Sequence, residues 1–132
     1  MTLLDANYIL RYLMRDNEEM FLEASQFIEG EECRILGEVL AEVIYVLEGY
    51  YEVPRLEIAR TLTILLNQPN LHAGEAHGHY LEALSIFEKS SLDYVDCLLC
   101  AFGQRISVAT FDKKLTKCLD NRSGKLKETE VK

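Results

Sequence analysis

No apolar run in this 132-residue chain approaches the roughly 20 residues that a membrane-spanning helix needs, so no membrane role is expected. The first residues, Met1-Thr2-Leu3-Leu4-Asp5, carry no base and meet an acid at once, which is not the pattern of a signal peptide. Cysteine is sparse: Cys33, Cys97, Cys100 and Cys118 fall short of a disulfide framework. Cys97 and Cys100 form a C-x-x-C, yet no second pair completes a zinc site and both lie in an expected helix. Two buried structural thiols in a reducing cytoplasm are the expectation. Basic residues are scarcer still along most of the chain. Residues 1–104 hold 6 Lys or Arg against 18 Asp or Glu, a balance of −12, and residues 105–132 hold 8 against 4, a balance of +4. The net charge of −8 argues against a non-specific nucleic-acid coat protein. The basic segment with Lys113, Lys114, Lys117, Arg122 and Lys125 is compatible with a site that must approach phosphate, or with a solvated tail.

What is present is ordinary globular composition, 48% hydrophobic and 27% charged, for one domain over residues 1–132. Runs of strand length recur at Thr2–Leu4, Cys33–Leu36, Leu71–Ala73 and Ile106–Ala109. Between them apolar residues fall at helical spacing. Ile9, Leu10 and Leu13 mark the first helix. Phe21, Ala24, Phe27 and Ile28 mark the second, capped by Asp16 or Asn17 and stopped by Gly30. Further helices are expected from Gly37 to about Tyr51, from Pro54 to about Leu66, and from about Glu75 to Lys89. Another runs from Leu92 to Phe102, with Ser91 as its cap and Gly103 at its end. A short helix over Asp112–Leu119 follows. Asn121–Lys132 reads as loosely held, with Glu130-Val131 available as an edge strand. Short strands alternating with helices imply an α/β fold, three layers (α/β/α) around a short central parallel sheet.

Four carboxylates interrupt these hydrophobic stretches. Asp5 closes Leu3-Leu4, Glu42 divides Leu40-Ala41 from Val43-Ile44, Asp96 lies between Val95 and Leu98-Leu99, and Asp112 follows the run Ile106–Thr110. An acid withdrawn from water costs several kcal/mol unless it is paired or bound to metal, and few bases lie near these four in sequence. A divalent cation shared by converging acids is the expected explanation. Strand polarity puts Asp5, and Thr110 with Asp112, at the carboxyl edge of the sheet, where such folds bind ligands. Helical geometry sets Glu42 at the rim of an apolar face and Glu38 further toward solvent. Asp93 can reach the cleft of Asp96 or simply favour a helix N-terminus. His72, His77 and His79 include a His-x-His but no third ligand at metal spacing, and are read as surface residues.

Four strings then carry a resemblance to a known family. They are Leu3-Leu4-Asp5-Ala6-Asn7 with Leu10-Arg11-Tyr12-Leu13, then Leu40-Ala41-Glu42-Val43-Ile44-Tyr45-Val46-Leu47. Next come Leu92-Asp93-Tyr94-Val95-Asp96-Cys97-Leu98-Leu99 and Val108-Ala109-Thr110-Phe111-Asp112-Lys113-Lys114-Leu115. Together they span essentially the whole chain, which resembles the PIN-domain nucleases, most closely VapC-type toxins of toxin–antitoxin pairs. The resemblance implies a metal-dependent RNA endonuclease with Asp5, Glu42, Asp96 and Asp112 as catalytic acids around one or two Mg²⁺ or Mn²⁺ ions. Asn7 and Thr110 would support that cluster, with Asp93 beside it. Hard oxygen donors suit these ions, whereas zinc would prefer His or Cys. The resemblance also implies an RNA substrate, a cognate antitoxin and a homodimer. A stand-alone RNA-processing nuclease and a catalytically silent PIN-like binding module are the alternatives. Gly37 departs from the Ser or Thr that often precedes the glutamate helix, and little chain remains after Asn121 for a final strand. A receiver domain would need an aspartate ending a mid-chain strand. A haloacid-dehalogenase-type phosphatase would need D-x-D where this chain has Asp5-Ala6-Asn7.

Overall fold

The computed structural model describes residues 1–131, with side chains as far as Ser123. Strands β1 (Thr2–Leu3), β2 (Cys33–Arg34) and β3 (Leu71–His72) form a parallel sheet with β2 in the middle. Thr2 pairs with Cys33 and Leu3 with Arg34, while Cys33 pairs with Leu71 and Arg34 with His72. Parallel neighbours need crossover connections, usually helical. Here α1 (Ala6–Met14) and α2 (Glu18–Gly30) link β1 to β2, and α3 (Gly37–Gly49) and α4 (Arg55–Leu66) link β2 to β3. A 3-10 turn at Gly74–Ala76 then leads to α5 (His77–Lys89), α6 (Tyr94–Phe102) and α7 (Lys113–Val131). The fold is the three-layer α/β/α arrangement around a short parallel sheet. Among the described residues no helix is long and apolar enough to cross a membrane.

The apolar spacing seen in the sequence is what fills the core. Ile9 and Leu10 of α1, Ile28 of α2, Leu40 and Ile44 of α3, Leu62 and Leu65 of α4, and Leu84 and Phe87 of α5 are buried around Cys33 and Ile35. Each such side chain contributes roughly 1.5–3 kcal/mol by leaving water. Asn17 caps α2, its side-chain oxygen accepting from the Met20 amide at 3.0 Å. Gly37 opens α3 because Tyr80 occupies the space beside it: an added Cβ would lie 2.5 Å from the Tyr80 hydroxyl. The hydroxyl-bearing residue that the resemblance leads one to expect there would require the Tyr80 side chain to shift.

Several expectations are corrected. Ile106–Ala109 forms no strand. Val108 packs beside Gly103, close to Leu119, Ile106 is 63% exposed, and Leu3 on β1 is 61% exposed, so this segment and β1 offer each other no buried face to stabilise a ladder. β1 is accordingly an exposed strand with Leu4 buried after it, not a buried one. Asp93, not Ser91, caps α6; the Ser90 hydroxyl accepts from the Leu92 amide instead. The helix expected over Asp112–Leu119 extends as α7 to Val131, so Glu130-Val131 is helical and adds no edge strand. Cys97 is a buried free thiol, but Cys100 is bonded to Cys118 across a sequence separation of 18. The C-x-x-C spacing places Cys97 and Cys100 a helical turn apart, and the last turns of α6 meet α7, which brings the distant Cys118 into reach.

One side chain ties the second half together. The Arg55 guanidinium, at the start of α4, lies 3.6 Å from the centre of the Phe87 ring on α5. Its Nε donates to the Phe87 carbonyl at 3.1 Å, Nη1 to Glu48 of α3 at 2.9 Å, and Nη2 to the Leu92 carbonyl just before α6. Arginine's planar fork serves these partners at once, which a lysine point charge cannot do. Arg55→Lys is expected to lower stability by about 2 kcal/mol, since hydrogen bonds to a charged group and a desolvated cation–π contact are each worth 1–3 kcal/mol. Glu48→Gln, which keeps a weaker acceptor, should cost less than half of that. Urea unfolding of the two variants measures both.

Candidate active site

Three of the acids picked out by sequence do the same local job: each ends a non-helical segment and accepts a hydrogen bond from the first turn of the helix that follows. Asp5 Oδ1 accepts from the Tyr8 amide at 2.8 Å, Asp93 Oδ1 from the Asp96 amide at 2.9 Å, and Asp112 Oδ1 from the Leu115 amide at 2.8 Å. Such caps satisfy helix donors that have no partner within the helix, and aspartate is among the preferred residues. The Thr110 hydroxyl accepts from the Asp112 amide at 3.0 Å, which fixes the turn leading into α7. In each capping bond one carboxylate oxygen is engaged. The second oxygen of Asp5, Asp93 and Asp112 makes no capping bond.

Burial differs from the sequence expectation. Asp5, Glu42 and Asp112 are exposed, and among the described residues no polar or charged residue is fully buried. Capping at the solvent edge, and an outward position on α3, keep these three in water despite their apolar neighbours. Asp96 alone is partly withdrawn. Desolvation raises its carboxyl above the ordinary range, and the negative charges of Asp93 and Asp112 push it further in the same direction. Asp93 at the start of α6 and Asp112 at the start of α7 thus lie near enough to Asp96 for their charge to act on it.

The remaining candidates line two other clefts. Glu42 shares a cleft of about 320 Å³ with Asp93 and Tyr94, opened between α3 and α6. Asp5 and Asn7 line a smaller cleft of about 140 Å³ with Arg11 and Glu23. Asn7 accepts there from Arg11 Nε at 3.2 Å, while Arg11 Nη1 holds both oxygens of Asp16 at 2.6 Å. Neither Asp5 nor Glu42 is among the charges that act on Asp96. Among the described residues no group of three or more His, Cys, Asp or Glu side chains is gathered closely enough to hold a metal ion. The donor chemistry of Asp93, Asp96 and Asp112 nevertheless fits a hard divalent cation: three carboxylates, with the Asp96 carboxyl raised by burial and by the like charges of Asp93 and Asp112, an effect that a cation would oppose.

Sequence reasoning passed over several residues. Tyr94 is buried, its hydroxyl donating to the Tyr80 carbonyl at 3.0 Å, and burial pushes its pKa up. His79 is not a plain surface residue: its ring stacks on Phe102 at 4.1 Å, and its buried Nδ1 has no hydrogen-bond partner among the described residues. Arg122, expected to meet phosphate, is paired with Glu82. The side chain of Lys125 lies outside the described residues. Lys89 was missed, although its signal was present: it is the only lysine before residue 113.

Comparison with known proteins gives two findings. The PIN domain family model matches residues 2–118. A protein described as a VapC ribonuclease, from Aquifex aeolicus (strain VF5), is 28% identical over 126 residues, covering 89% of this chain and 91% of its own. No solved structure matches.

The raised carboxyl of Asp96 makes a stability prediction for the metal-free protein. A native carboxylate pKa above its unfolded value means that folding takes up a proton in the window between the two. Wild-type stability should therefore fall as pH rises through that window, and the deficit is complete above the native value. Asp96→Asn removes the deficit. In EDTA the variant should melt above wild type at pH 7, and the gain should vanish at a pH below the unfolded value of about 3.9. Thermal melts across this range provide the check.

Proposed function

Because the chain belongs to the PIN-domain family, we propose that it is an RNA endonuclease dependent on Mg²⁺ or Mn²⁺ and acts in the cytoplasm as the toxin of a toxin–antitoxin pair. The observation that carries the reading is that Asp5, Asp93 and Asp112 each cap a helix at the solvent edge with one carboxylate oxygen and leave the other outside the cap, with Asp96 a turn away from Asp93 and its carboxyl raised by burial and by Asp93 and Asp112. The relative described as a VapC ribonuclease supports the choice of substrate and role.

Asp96 and Asp112 would hold the cation, with Asp5 and Glu42 completing the carboxylate set from the end of β1 and from α3. A bound divalent ion supplies charge neutralisation at the scissile phosphate and lowers the pKa of a water. The protein's own residues do the rest. The capping bonds of Asp5, Asp93 and Asp112 fix one oxygen of each and orient the other. Thr110 holds the backbone of Asp112, and Asn7 faces the same cleft as Asp5. The spacing of the acids favours one second reading, a PIN-like module that binds RNA without cutting it.

An antitoxin would enter through these exposed carboxylates, which an arginine fork engages in bidentate fashion. The apolar residues Tyr45, Tyr50, Leu56 and Ile64, exposed on and beside α3 and α4, suit contact with a second copy of the chain. Expression with its native neighbouring gene should yield a small co-purifying partner and a dimer by sedimentation. A monomer at micromolar concentration, purified without any partner, would remove both assignments.

Cleavage is tested directly. Asp96→Asn and Asp5→Asn should each lower RNA cleavage by on the order of 100-fold or more, because the amide keeps the shape and loses the charge that holds the cation. Glu38→Gln, exposed on the outer face of α3, should leave it within about twofold, as surface substitutions usually do. EDTA should abolish wild-type cleavage. Full activity in EDTA, or in folded Asp96→Asn protein, would hand the case to the silent module.

A further inference from the structure

A cleft of about 590 Å³ lies between the end of α5, the turn before α6 and α7, and among the described residues its polar lining is lysine, arginine, serine and asparagine, without a carboxylate. In a chain with 22 acids against 14 bases, that composition is unusual. Lys89 comes from α5 and Lys114 and Lys117 from α7, so tertiary packing collects three cations that the sequence separates. Ser90 and Ser91 supply hydroxyls from the connecting turn, and Asn121 an amide. Lys114 Nζ already donates to Ser91 Oγ at 3.3 Å, closing the cleft from both sides. Arg122 also lines it, but Glu82 engages its guanidinium. The three lysines are exposed and make no ion pair among the described residues.

The position of the cleft matters as much as its charge. Ser91 stands two residues before Asp93, and Lys114 two residues after Asp112, so the basic lining ends where the acidic group begins. We propose that this cleft binds the backbone phosphates of single-stranded RNA and leads the strand to Asp93, Asp96 and Asp112. The proposal rests on the ribonuclease reading and names the residues that deliver its substrate. An acidic body repels a polyanion, and only a track free of carboxylates lets the strand approach the acids. Lysine donors and hydroxyls that touch phosphate position the strand without reading its sequence.

The test is binding of a labelled single-stranded RNA oligonucleotide in EDTA, followed by fluorescence anisotropy against KCl concentration. Each lysine that truly contacts a phosphate contributes about 0.7 to the slope of log affinity against log salt for single strands. Lys89→Gln, Lys114→Gln and Lys117→Gln combined should lower the slope by about 2, with the same loss for unrelated oligonucleotide sequences. Ser91→Glu, which places a carboxylate in the cleft, should weaken binding without removing a base. Lys113→Gln, outside the lining, should leave the slope unchanged, and far-ultraviolet circular dichroism confirms that each variant is folded. An unaltered slope in the triple variant, an equal effect of Lys113→Gln, or no RNA binding by wild type would overturn the proposal. Inorganic phosphate binding as tightly as the oligonucleotide would overturn it too, reassigning the cleft to a small anion. Lysine-dependent binding without cleavage in Mg²⁺ would keep the track and reject the nuclease. Cleavage with an unaltered slope would do the reverse.

Discussion

The arrangement around the acids depends on Arg55. Its guanidinium spans from Glu48 of α3 to the Phe87 ring and carbonyl and on to the Leu92 carbonyl, one residue before the cap of α6. Whatever holds Leu92 holds Asp93, and the first turn of α6 carries Asp96. The clamp is partly buried, with 25% of the Arg55 side chain exposed, so its bonds are made in a medium poorer in water than the surface. That strengthens each bond and makes its loss costly. Tyr94 and Tyr80 reinforce it from the other side, since Tyr94 donates to the Tyr80 carbonyl and Tyr80 packs against Gly37. Helices α3, α5 and α6 are therefore fixed to one another just beneath the acids.

Aspartate at a helix start has two consequences here that reinforce each other. A cap uses one side-chain oxygen as an acceptor, and the helix dipole favours negative charge at that place. A cation site requires ionised oxygens. Asp5, Asp93 and Asp112 each spend one oxygen on a cap and, being exposed, keep the other open to a ligand. Asp96 does not cap a helix and is the one that resists ionisation, through burial and through the charges of Asp93 and Asp112.

Charge is partitioned in space more sharply than along the chain. The sequence places its excess of base after residue 104, yet Lys89 joins Lys114 and Lys117 only through the packing of α5, α6 and α7. Arg122 is drawn the other way, into an ion pair with Glu82. Basic composition alone would have counted Arg122 and omitted Lys89. The cleft without carboxylates and the acidic group beside it are both products of where the turn at Ser90-Ser91-Leu92 sits.

Local pattern alone sufficed for the α/β class and for the six helices of the first hundred residues to within a few positions. Those features rest on local physics: hydrophobic period, helix caps, and the four ordered strings that mark the family. The three-layer arrangement followed from strands too short and too apolar to stand without helices on both sides. What only the tertiary structure decided involves partners distant in the chain. The Ile106–Ala109 run is strand-like in composition, but Val108 turns toward Gly103 and β1 stays exposed, so no ladder forms. Cys100 finds Cys118 because α6 packs on α7, which no spacing rule reveals. Local pattern reads apolar neighbours as burial, and so it withdrew Asp5, Glu42 and Asp112 from water. The folded chain leaves all three exposed, because solvent access is set by how whole elements pack and not by the residues on either side.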